Sequence, residues 1–261
     1  MRALAGFLAL AVLGACAAST PAPAVAHLAA VPAAQGFIAA AVDDPARPQV
    51  DRDRDAARKP ADMLAFAQLQ PGAKVAELLP GGGYFTRLFS AAIGPEGRVY
   101  AIVSPQQAAN TAQPPAVNAI AADPHYANVR VDVSPFGALR TPEPVDLFWT
   151  SQNYHDLHLT RLNIDVAAFN RAVFAALKPG GVFIVLDHAA TPGAGLNDVD
   201  TLHRIDEAVV RSEVEAAGFV FEASDPILHN PNDAHTANVF EPVVRGHTDQ
   251  FVLRFRKPST P

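Results

Sequence analysis

Short runs of apolar residues recur from residue 74 almost to the C-terminal end, and stretches with helical spacing separate most of them. Such short apolar runs predict strands that are buried on both faces, as in a parallel sheet covered by helices. The predicted strands cover residues 75–78, 98–103, 129–133, 145–150, 181–186, 219–223 and 250–255. This pattern indicates the α/β class, with a doubly wound and mostly parallel sheet.

Segments between the strands carry the helical period. Val166, Phe169 and Val173 recur at the spacing of one helix face, and Asp165 is placed to cap the first turn of that helix. Further helices are predicted over residues 60–69, over residues 84–93, and from Asp206 up to Gly218. A glycine such as Gly218 is a common helix end, because it adopts the left-handed conformation at little cost.

The N-terminus has a separate character. Residues 3–13 form an apolar run that is too short to span a bilayer but has the length of a signal-peptide core. The run ends in Leu-Gly-Ala-Cys at residues 13–16, which resembles the cleavage motif of bacterial lipoproteins. We therefore interpret residues 1–15 as a signal peptide and Cys16 as the lipid-anchored first residue of a chain on the periplasmic side of a bacterial membrane. The alternative is an ordinary leader, cut after residues 24–26, which would leave a soluble periplasmic protein.

Composition bounds the domain and its partners. Residues 16–48 are rich in Ala, Pro and Val with little charge, which predicts a flexible tether. The domain is expected over residues 49–257, with a short tail at 258–261. A net charge of −6 and a pI near 5.8 leave no broad basic surface, so nucleic acid is excluded as the main partner and a small-molecule substrate is favoured. Membrane contact is expected only through the lipid on Cys16, which is the only cysteine, so no disulfide within the chain can form.

A glycine turn follows the first predicted strand. Glu77 lies near the end of that strand, and Gly81, Gly82 and Gly83 come before Tyr84, where a helix is predicted to start. Glycines allow a sharp turn and a close approach of backbone to ligand, and the free N–H groups of the helix start can bind a polar or anionic group. The pattern therefore favours a nucleotide-like cofactor. The alternative is a tight turn between strand and helix that binds nothing.

Several segments together resemble the class I S-adenosylmethionine-dependent methyltransferases, and within them a group of bacterial predicted methyltransferases. The segments are GGGY at 81–84, QNYHDLH at 152–158, DHAA at 187–190 and, most specifically, LKPGGVFIV at 177–185. The resemblance covers about residues 52–257. It implies a seven-stranded sheet with a reversed last strand, S-adenosylmethionine as cofactor, and methyl transfer to an unidentified small molecule.

The resemblance also implies cofactor-binding residues. They are Glu77, Gly81, Gly82, Gly83, Tyr84, Asp132 and Asn153. The glycines would lie against the methionine part of the cofactor, the acid would orient the loop or the amino group, and Asp132 would contact the adenine. The chain departs from the family at two places. Leu79 replaces the usual first glycine, and no carboxylate stands near Val103, where the family has its ribose-binding acid.

Two polar clusters follow the fourth and fifth predicted strands. One spans residues 151–158 and the other is Asp187-His188. Because the carboxyl ends of parallel strands meet at one edge, both clusters can face one cleft. An oxygen acceptor usually needs a base, and we take His155 as the first candidate and His188 as the second, with Asp187 beside them. The alternative is that these side chains cap strand ends and bond to loop backbone.

The same residues leave a metal site open. A divalent ion could be bound by members of the set His155, Asp156, His158, Asp187 and His188, although the spacing alone fixes no ligand pair. Two polar loops, at residues 201–206 and 230–235, could form a lid over the substrate. In the first of them His203 and Arg204 could bind an anionic substrate or the cofactor carboxylate, or be a plain surface pair.

Two other functions compete with methyl transfer. A Rossmann dehydrogenase would need a third glycine at Thr86 and an acid on the second strand, and both are missing. A non-catalytic exported protein that binds a small molecule on the same fold is the stronger alternative. Export and the missing ribose acid favour it, whereas the glycines and the polar clusters favour the enzyme.

Overall fold

One sheet organises the molecule. The computed structural model describes residues 36–259. Its strands are β1 (Lys74–Leu78), β2 (Arg98–Val103), β3 (Val129–Val133), β4 (Val145–Ser151), β5 (Leu177–His188), β6 (Val220–Asp225) and β7 (Gln250–Arg256). They form a seven-stranded sheet in the order β3-β2-β1-β4-β5-β7-β6, in which β7 runs antiparallel to both of its neighbours. This confirms the predicted α/β class and the reversed last strand.

Helices cover both faces of the sheet. They are α1 (Gly36–Val42), α2 (Gln49–Arg52), α3 (Asp55–Arg58), α4 (Pro60–Phe66), α5 (Tyr84–Ile93), α6 (Pro105–Ala109), α7 (Val117–Ala122), α8 (Val166–Ala176), α9 (Val199–Leu202) and α10 (Glu207–Ala216). The predicted cap of α8 is confirmed, since the Asp165 carboxylate accepts a hydrogen bond from the Ala168 N–H. Asp206 caps α10 in the same way. Among residues 36–259, no helix has both the length and the apolar character needed to cross a bilayer.

Alternate residues of each strand feed two separate cores. Trp149 of β4 packs into the core that α1, α4, α5 and α7 share with the sheet. Its neighbour Phe148 packs on the other face, with Phe169 of α8 and Val210 of α10. Burying a large apolar side chain of this kind stabilises the fold by roughly 1.5–3 kcal/mol. The sheet is therefore fixed from both sides, and the loops at its carboxyl edge are held by rigid elements.

The folded part begins earlier than the sequence suggests. Residues 36–48 were expected to belong to the tether, but α1 buries Ile38 and Ala41 in the first core. The side chain of Arg47 is also buried and forms an ion pair with Asp55, with an N–O distance of 2.6 Å. The tether prediction is therefore wrong for residues 36–48. The predicted signal peptide and Cys16 lie outside the described residues.

Strand β5 also begins earlier than predicted. The strand was predicted to start at residue 181, yet Leu177 pairs with Val145 as the first residue of β5. The register then shifts before Val182 pairs with Leu147, and Gly180 takes a left-handed φ of +77° within the shift. The irregular start explains the error, because a Pro-Gly-Gly sequence reads as a break between helix and strand.

Candidate functional site

Three parallel strands place the predicted site residues at one edge. β1, β4 and β5 lie side by side and end at Leu78, Ser151 and His188. The loops that follow them form two features. We call the first the glycine-turn cavity, lined by residues of the glycine turn and of the loop after β4, and the second the histidine cluster, formed by His155, Asp156, Asp187, His188 and His203.

The glycine turn needs its glycines for two different reasons. Gly81 and Gly83 have φ values of +57° and +79°, where a side chain is strained. A Cβ on Gly83 would also lie 2.1 Å from Cδ1 of Ile120. A Cβ on Gly82 would meet no atom within 4 Å. Gly82 therefore leaves open space at the surface of the turn, which is where a ligand can approach the backbone.

Leu79 has the left-handed conformation. The methyltransferases that the chain resembles usually have a glycine at this position, which adopts that conformation with less strain. The φ of Leu79 is +48°, which costs a leucine roughly 1–2 kcal/mol. The Leu79 N–H donates to the carbonyl of Ile102 at 2.9 Å, and its carbonyl accepts a bond of 3.2 Å from the Asn153 side-chain amide. The same amide lies 3.3 Å from the Leu78 carbonyl. Asn153 therefore holds the turn in place, and direct cofactor binding by this residue stays a prediction.

The glycine-turn cavity is small and strongly charged. Its volume is about 200 Å³, below the roughly 300–1,000 Å³ of pockets that enclose a drug-sized ligand, so it suits one part of a larger molecule. The residues that line it are Arg54, Arg58, Glu77, Leu78, Leu79, Pro80, Gly81, Gly82, Tyr84, Phe85, Ser151, Gln152 and Asn153. Glu77 brings a carboxyl group to one wall, and Arg54 and Arg58 bring two guanidinium groups.

Glu77 is buried with a single side-chain donor beside it. The Thr86 hydroxyl donates to its Oε2 at 2.5 Å. Burial raises the pKa of Glu77 to about 7, and the Thr86 bond and the charge of Arg58 only partly oppose that shift. Thr86, which stands where a dehydrogenase would have its third glycine, thus supports the acid. Near neutral pH this carboxyl group is ready to accept a cation.

Arg58 forms another wall of the cavity. Its guanidinium lies over the rings of Tyr84, at 4.8 Å, and Phe85, at 5.3 Å, and donates to Oε1 of Gln152 at 2.7 Å. Burial and then the positive charge of Arg54 lower the pKa of Arg58 to about 10, so it stays charged at neutral pH. A guanidinium held by stacking is preorganised to bind a carboxylate. From the sequence, Arg58 and Lys59, like His203 and Arg204, could bind an anionic group or be a plain surface pair.

Tyr84 connects the turn to the N-terminal helices. Its hydroxyl donates to Oδ1 of Asp55 at 2.6 Å, and Asp55 in turn accepts two hydrogen bonds from Arg47. The ring lines the cavity, as a cofactor-binding residue should, but the hydroxyl is used within the protein. Tyr84 therefore fixes the segment that brings Arg54 and Arg58 to the cavity.

Asp132 lies one residue before the end of β3, where it pairs with Ile102 of β2. Its predicted contact with adenine stays a prediction. Asp132 lines a different cavity, of about 350 Å³, together with Ser134 and Arg140. Burial raises the pKa of Asp132, and its Oδ2 has no hydrogen-bond partner among the described residues. None of the residues around this cavity also lines the glycine-turn cavity.

The end of β2 carries a hydroxyl where the family has an acid. β2 ends at Val103, and the next residue, Ser104, accepts a hydrogen bond from the Gln107 N–H to cap α6. Gln107 completes a capping box by bonding back to the Ser104 N–H. The Ser104 side chain is thus committed to the helix, and the described residues offer no carboxylate at this strand end.

The histidine cluster is centred on a buried pair. Nδ1 of His155 lies 2.7 Å from Oδ1 of Asp187, and the His155 backbone N–H donates to the other carboxylate oxygen at 2.7 Å. The His188 N–H adds a third bond to Asp187 at 2.8 Å. Burial by itself would raise the pKa of Asp187, but the charge and ring N–H of His155 outweigh it and hold the pKa below its ordinary value. Conversely, Asp187 overcomes burial and raises the pKa of His155.

The other ring nitrogen of His155 faces two more polar groups. Nε2 lies 3.3 Å from Nδ1 of His203 and 3.4 Å from Oδ1 of Asp156. In the neutral form of His155, in which Nδ1 donates to Asp187, Nε2 carries a lone pair. That lone pair can accept a proton or bind a cation. The role of His155 as a base stays a prediction.

Two predicted histidines have other surroundings. Burial lowers the pKa of His188 to about 4, which makes it a weak base at neutral pH, and its Nδ1 lies 2.7 Å from the Thr248 hydroxyl. His158 turns away and contacts Glu213 of α10 at 3.0 Å. The structure therefore corrects the predicted metal set, since His203 from the loop after α9 takes the place of His158.

Arg204 is a structural residue. It is fully buried, donates to the carbonyls of Ala189 and Ala237, and forms an ion pair of 2.8 Å with Asp233. All of these partners lie within the protein, so the predicted role in binding an anion is wrong for Arg204. By joining the 201–206 and 230–235 loops to the end of β5, it positions the neighbouring His203.

Solved structures share this architecture. The chain is similar to an S-adenosylmethionine-dependent methyltransferase of Aquifex aeolicus, with a TM-score of 0.56 and 17% identity over 81% of this chain and 98% of that one. A methyltransferase of Mesorhizobium loti gives a TM-score of 0.54 and 19% identity over 78% and 99% of the two chains. The [4+2]-cyclase SpnF gives 0.55 and 17% over 80% of each.

The fold is that of the S-adenosylmethionine-dependent methyltransferases. This confirms the fold that the sequence resemblance implies. No protein-family model matches the sequence. No curated protein matches it either. At this level of identity the likeness concerns the fold, and the function has to be argued from the site.

Proposed function

We propose that the protein transfers a methyl group from S-adenosylmethionine to a small molecule. The observation that carries the proposal is the charge pattern of the glycine-turn cavity. It brings the carboxyl group of Glu77 and the guanidinium groups of Arg54 and Arg58 to one small space. An α-amino acid has one ammonium and one carboxylate group, so this pattern complements the methionine part of the cofactor.

The rest of the fit is mixed. Gly82 leaves room for a ligand against the turn, and the cavity volume suits the methionine part alone. At the end of β2, Ser104 offers no carboxylate for the ribose hydroxyls, so the nucleoside part lacks its strongest expected contact. We therefore expect binding to rest mainly on the amino-acid part of the cofactor.

The acceptor is expected beside the histidine cluster. Gln152 and Asn153 line the cavity, and His155 follows them on the same loop. The bound cofactor would supply the methyl group, and the protein would have to align the acceptor and deal with its proton. The buried pair of His155 and Asp187 supports that second task.

Calorimetry tests the proposal. Titrating the purified full chain with S-adenosylmethionine and S-adenosylhomocysteine should give micromolar binding. Gly82→Val should lower the affinity at least tenfold without unfolding the protein, because an added Cβ meets open space where the ligand would lie. Gly36→Val is the matched control, since a Cβ there also meets no atom within 4 Å and the position is at the start of α1. Equal binding by both variants would remove the glycine turn from the site.

A second candidate is an exported protein that binds a small molecule without catalysis. The specific observation in its favour is Ser104, whose side chain caps α6 where the ribose acid would stand. If the folded protein binds neither S-adenosylmethionine nor S-adenosylhomocysteine, this candidate replaces the enzyme.

We further propose that the chain is exported and held at the membrane by lipid on Cys16. The support is the apolar run at residues 3–13 and the lipoprotein-like motif that ends at Cys16. Cys16→Ser should move the protein from the membrane fraction to the soluble fraction of the cell. Unchanged membrane attachment would contradict the proposal.

A further inference from the structure

We propose that His155, Asp156 and His203 bind a divalent transition ion, Zn²⁺ foremost, with Asp187 orienting His155. The proposal does not depend on methyl transfer. It concerns three side chains that come from two separate loops and bring two imidazole nitrogens and one carboxylate oxygen together.

The distances between the donor atoms fit a tetrahedral ion. Zn²⁺ binds histidine nitrogen and carboxylate oxygen at about 2.0–2.2 Å, so two ligand atoms of a tetrahedral site lie roughly 3.3–3.5 Å apart. Nε2 of His155 is 3.3 Å from Nδ1 of His203 and 3.4 Å from Oδ1 of Asp156. The third pair, His203 and Asp156, is 3.8 Å apart and needs only a small rotation of the half-buried carboxylate. Three protein ligands leave a fourth position for water or a substrate atom.

Asp187 supplies the outer support that such sites require. A histidine that binds a metal usually donates its other ring N–H to a carboxylate, which fixes the tautomer and the ring orientation. Nδ1 of His155 makes this bond to Asp187 at 2.7 Å. Asp187 is itself held by two backbone N–H groups, so the lone pair on His155 Nε2 points in a fixed direction. With an ion bound, His155 would serve as a ligand and not as a base.

His203 is held in position by the end of α9 and by the loop that follows. It caps α9 in the left-handed conformation, with a φ of +55°. Ile205, two residues later, donates its N–H to the His188 carbonyl at 3.1 Å, which attaches this loop to the end of β5. The ring of Phe240 covers the imidazole of His203 at 5.0 Å. These contacts fix the position of the His203 imidazole beside His155.

Metal binding should be measured on the purified full chain after removal of bound ions with a chelator. We expect one equivalent of Zn²⁺ per chain with a Kd of micromolar or lower, determined by competition with a chromophoric chelator. Co²⁺ should give the visible absorption bands of a tetrahedral site. A chain that takes up less than one equivalent at micromolar free Zn²⁺, or whose Co²⁺ spectrum is octahedral, would overturn the proposal.

Variants identify the ligands. His203→Ala and Asp156→Asn should each weaken Zn²⁺ binding at least 100-fold. Asp187→Asn keeps all three ligands and should weaken it about 10–100-fold, as expected for an orienting residue. His158→Ala is the matched control, because His158 is on the same loop as His155 but contacts Glu213. If His158→Ala lowers the affinity as much as His203→Ala, the assignment is wrong.

The same protein separates this proposal from the proposed function. Calorimetry with S-adenosylmethionine is repeated in the presence of chelator, where the metal site is empty but the glycine-turn cavity is unchanged. Binding of the cofactor without ion uptake would contradict the metal site alone. Ion uptake without cofactor binding would contradict methyl transfer alone.

Discussion

Two buried carboxyl groups at the same edge of the sheet have opposite pKa shifts. Glu77 lies near the end of β1 and Asp187 near the end of β5, and both are almost inaccessible to water. The pKa of Glu77 rises to about 7, whereas that of Asp187 falls below its ordinary value. Burial acts in the same direction on both. The difference lies in their partners, since Glu77 accepts one hydroxyl bond and Asp187 accepts three N–H bonds and faces His155.

This difference means that Asp187 has its hydrogen-bond partners within the protein, whereas Glu77 can still accept a partner from outside. Asp187 already has its hydrogen-bond donors, so its task is to hold His155. Glu77 has unsatisfied acceptor capacity in a cavity, so an ammonium group arriving from outside would complete it. The glycine-turn cavity is thus built to receive charge at Glu77, whereas Asp187 already has its partners within the histidine cluster.

The largest effect is expected when Asp187 loses its charge. Asp187→Asn places an amide N–H₂ against N–H donors and leaves His155 without its counter-charge. We expect a loss of about 3–5 kcal/mol in the free energy of unfolding, measured by urea denaturation at pH 7. Asp165→Asn is the control, because that exposed carboxylate caps α8, asparagine caps as well, and its ion pair with Arg171 is exposed and 4.0 Å long. A loss below 1 kcal/mol for Asp187→Asn would show that the pair is not needed for stability.

Replacing Glu77 should raise the free energy of unfolding, whereas replacing Asp187 should lower it. The pKa of Glu77 is raised from 4.5 to about 7, so the folded state keeps the proton longer than the unfolded state. The wild-type protein therefore loses stability as pH rises from 4.5 through 7. Glu77→Gln removes this loss and still accepts the Thr86 hydroxyl. Above pH 7 the variant should be more stable by up to about 3 kcal/mol, and near pH 4.5 the two proteins should be equal.

That comparison is made by urea denaturation of both proteins at several pH values. If the free energy of unfolding changes with pH in the same way in the wild type and in Glu77→Gln, the pKa of Glu77 is not raised. A gain that appears only at low pH would contradict the sign of the argument.

Sequence alone predicts the framework of this site better than its chemistry. The strands were found because buried parallel strands are continuous apolar runs, and the cap at Asp165 because a cap is a local signal. The start of the fold was missed, since an Ala- and Pro-rich segment resembles a linker although Ile38 reaches the core. Composition does not show whether a few apolar residues pack against another part of the same chain.

The missed site residues depend on contacts between distant parts of the chain. Arg58 bonds to Gln152, 94 residues away, and His203 meets His155 across 48 residues. No local pattern around Arg58 or His203 indicates these partners, so the sequence leaves both an anion contact and a plain surface position open for each of them. The roles of Arg58 and His203 depend on neighbours that only the folded structure brings close to them.

Arg58 offers a sharper test of the cavity. Arg58→Lys keeps the charge but loses the planar group that stacks on Tyr84 and reaches Gln152. We expect S-adenosylmethionine to bind about 30-fold more weakly, which corresponds to about 2 kcal/mol for a charge-assisted contact. Arg211→Lys is the matched control, because Arg211 also stacks on a ring, that of Phe221, in a separate part of the fold. Unchanged affinity in Arg58→Lys would remove this guanidinium from the binding site.

The smallest expected effect is a change in the affinity for S-adenosylmethionine with pH. In the free protein Glu77 loses its proton near pH 7, and only the carboxylate form attracts an ammonium group. An α-ammonium group with a pKa of about 8 stays mostly charged up to pH 7.5. Affinity for S-adenosylmethionine should therefore rise roughly fivefold from pH 6 to pH 7.5 in the wild type and stay nearly flat in Glu77→Gln, as followed by calorimetry. Affinity that is equally flat in both proteins would mean that the ammonium group lies elsewhere, and the raised pKa of Glu77 would then reflect burial without a role in binding.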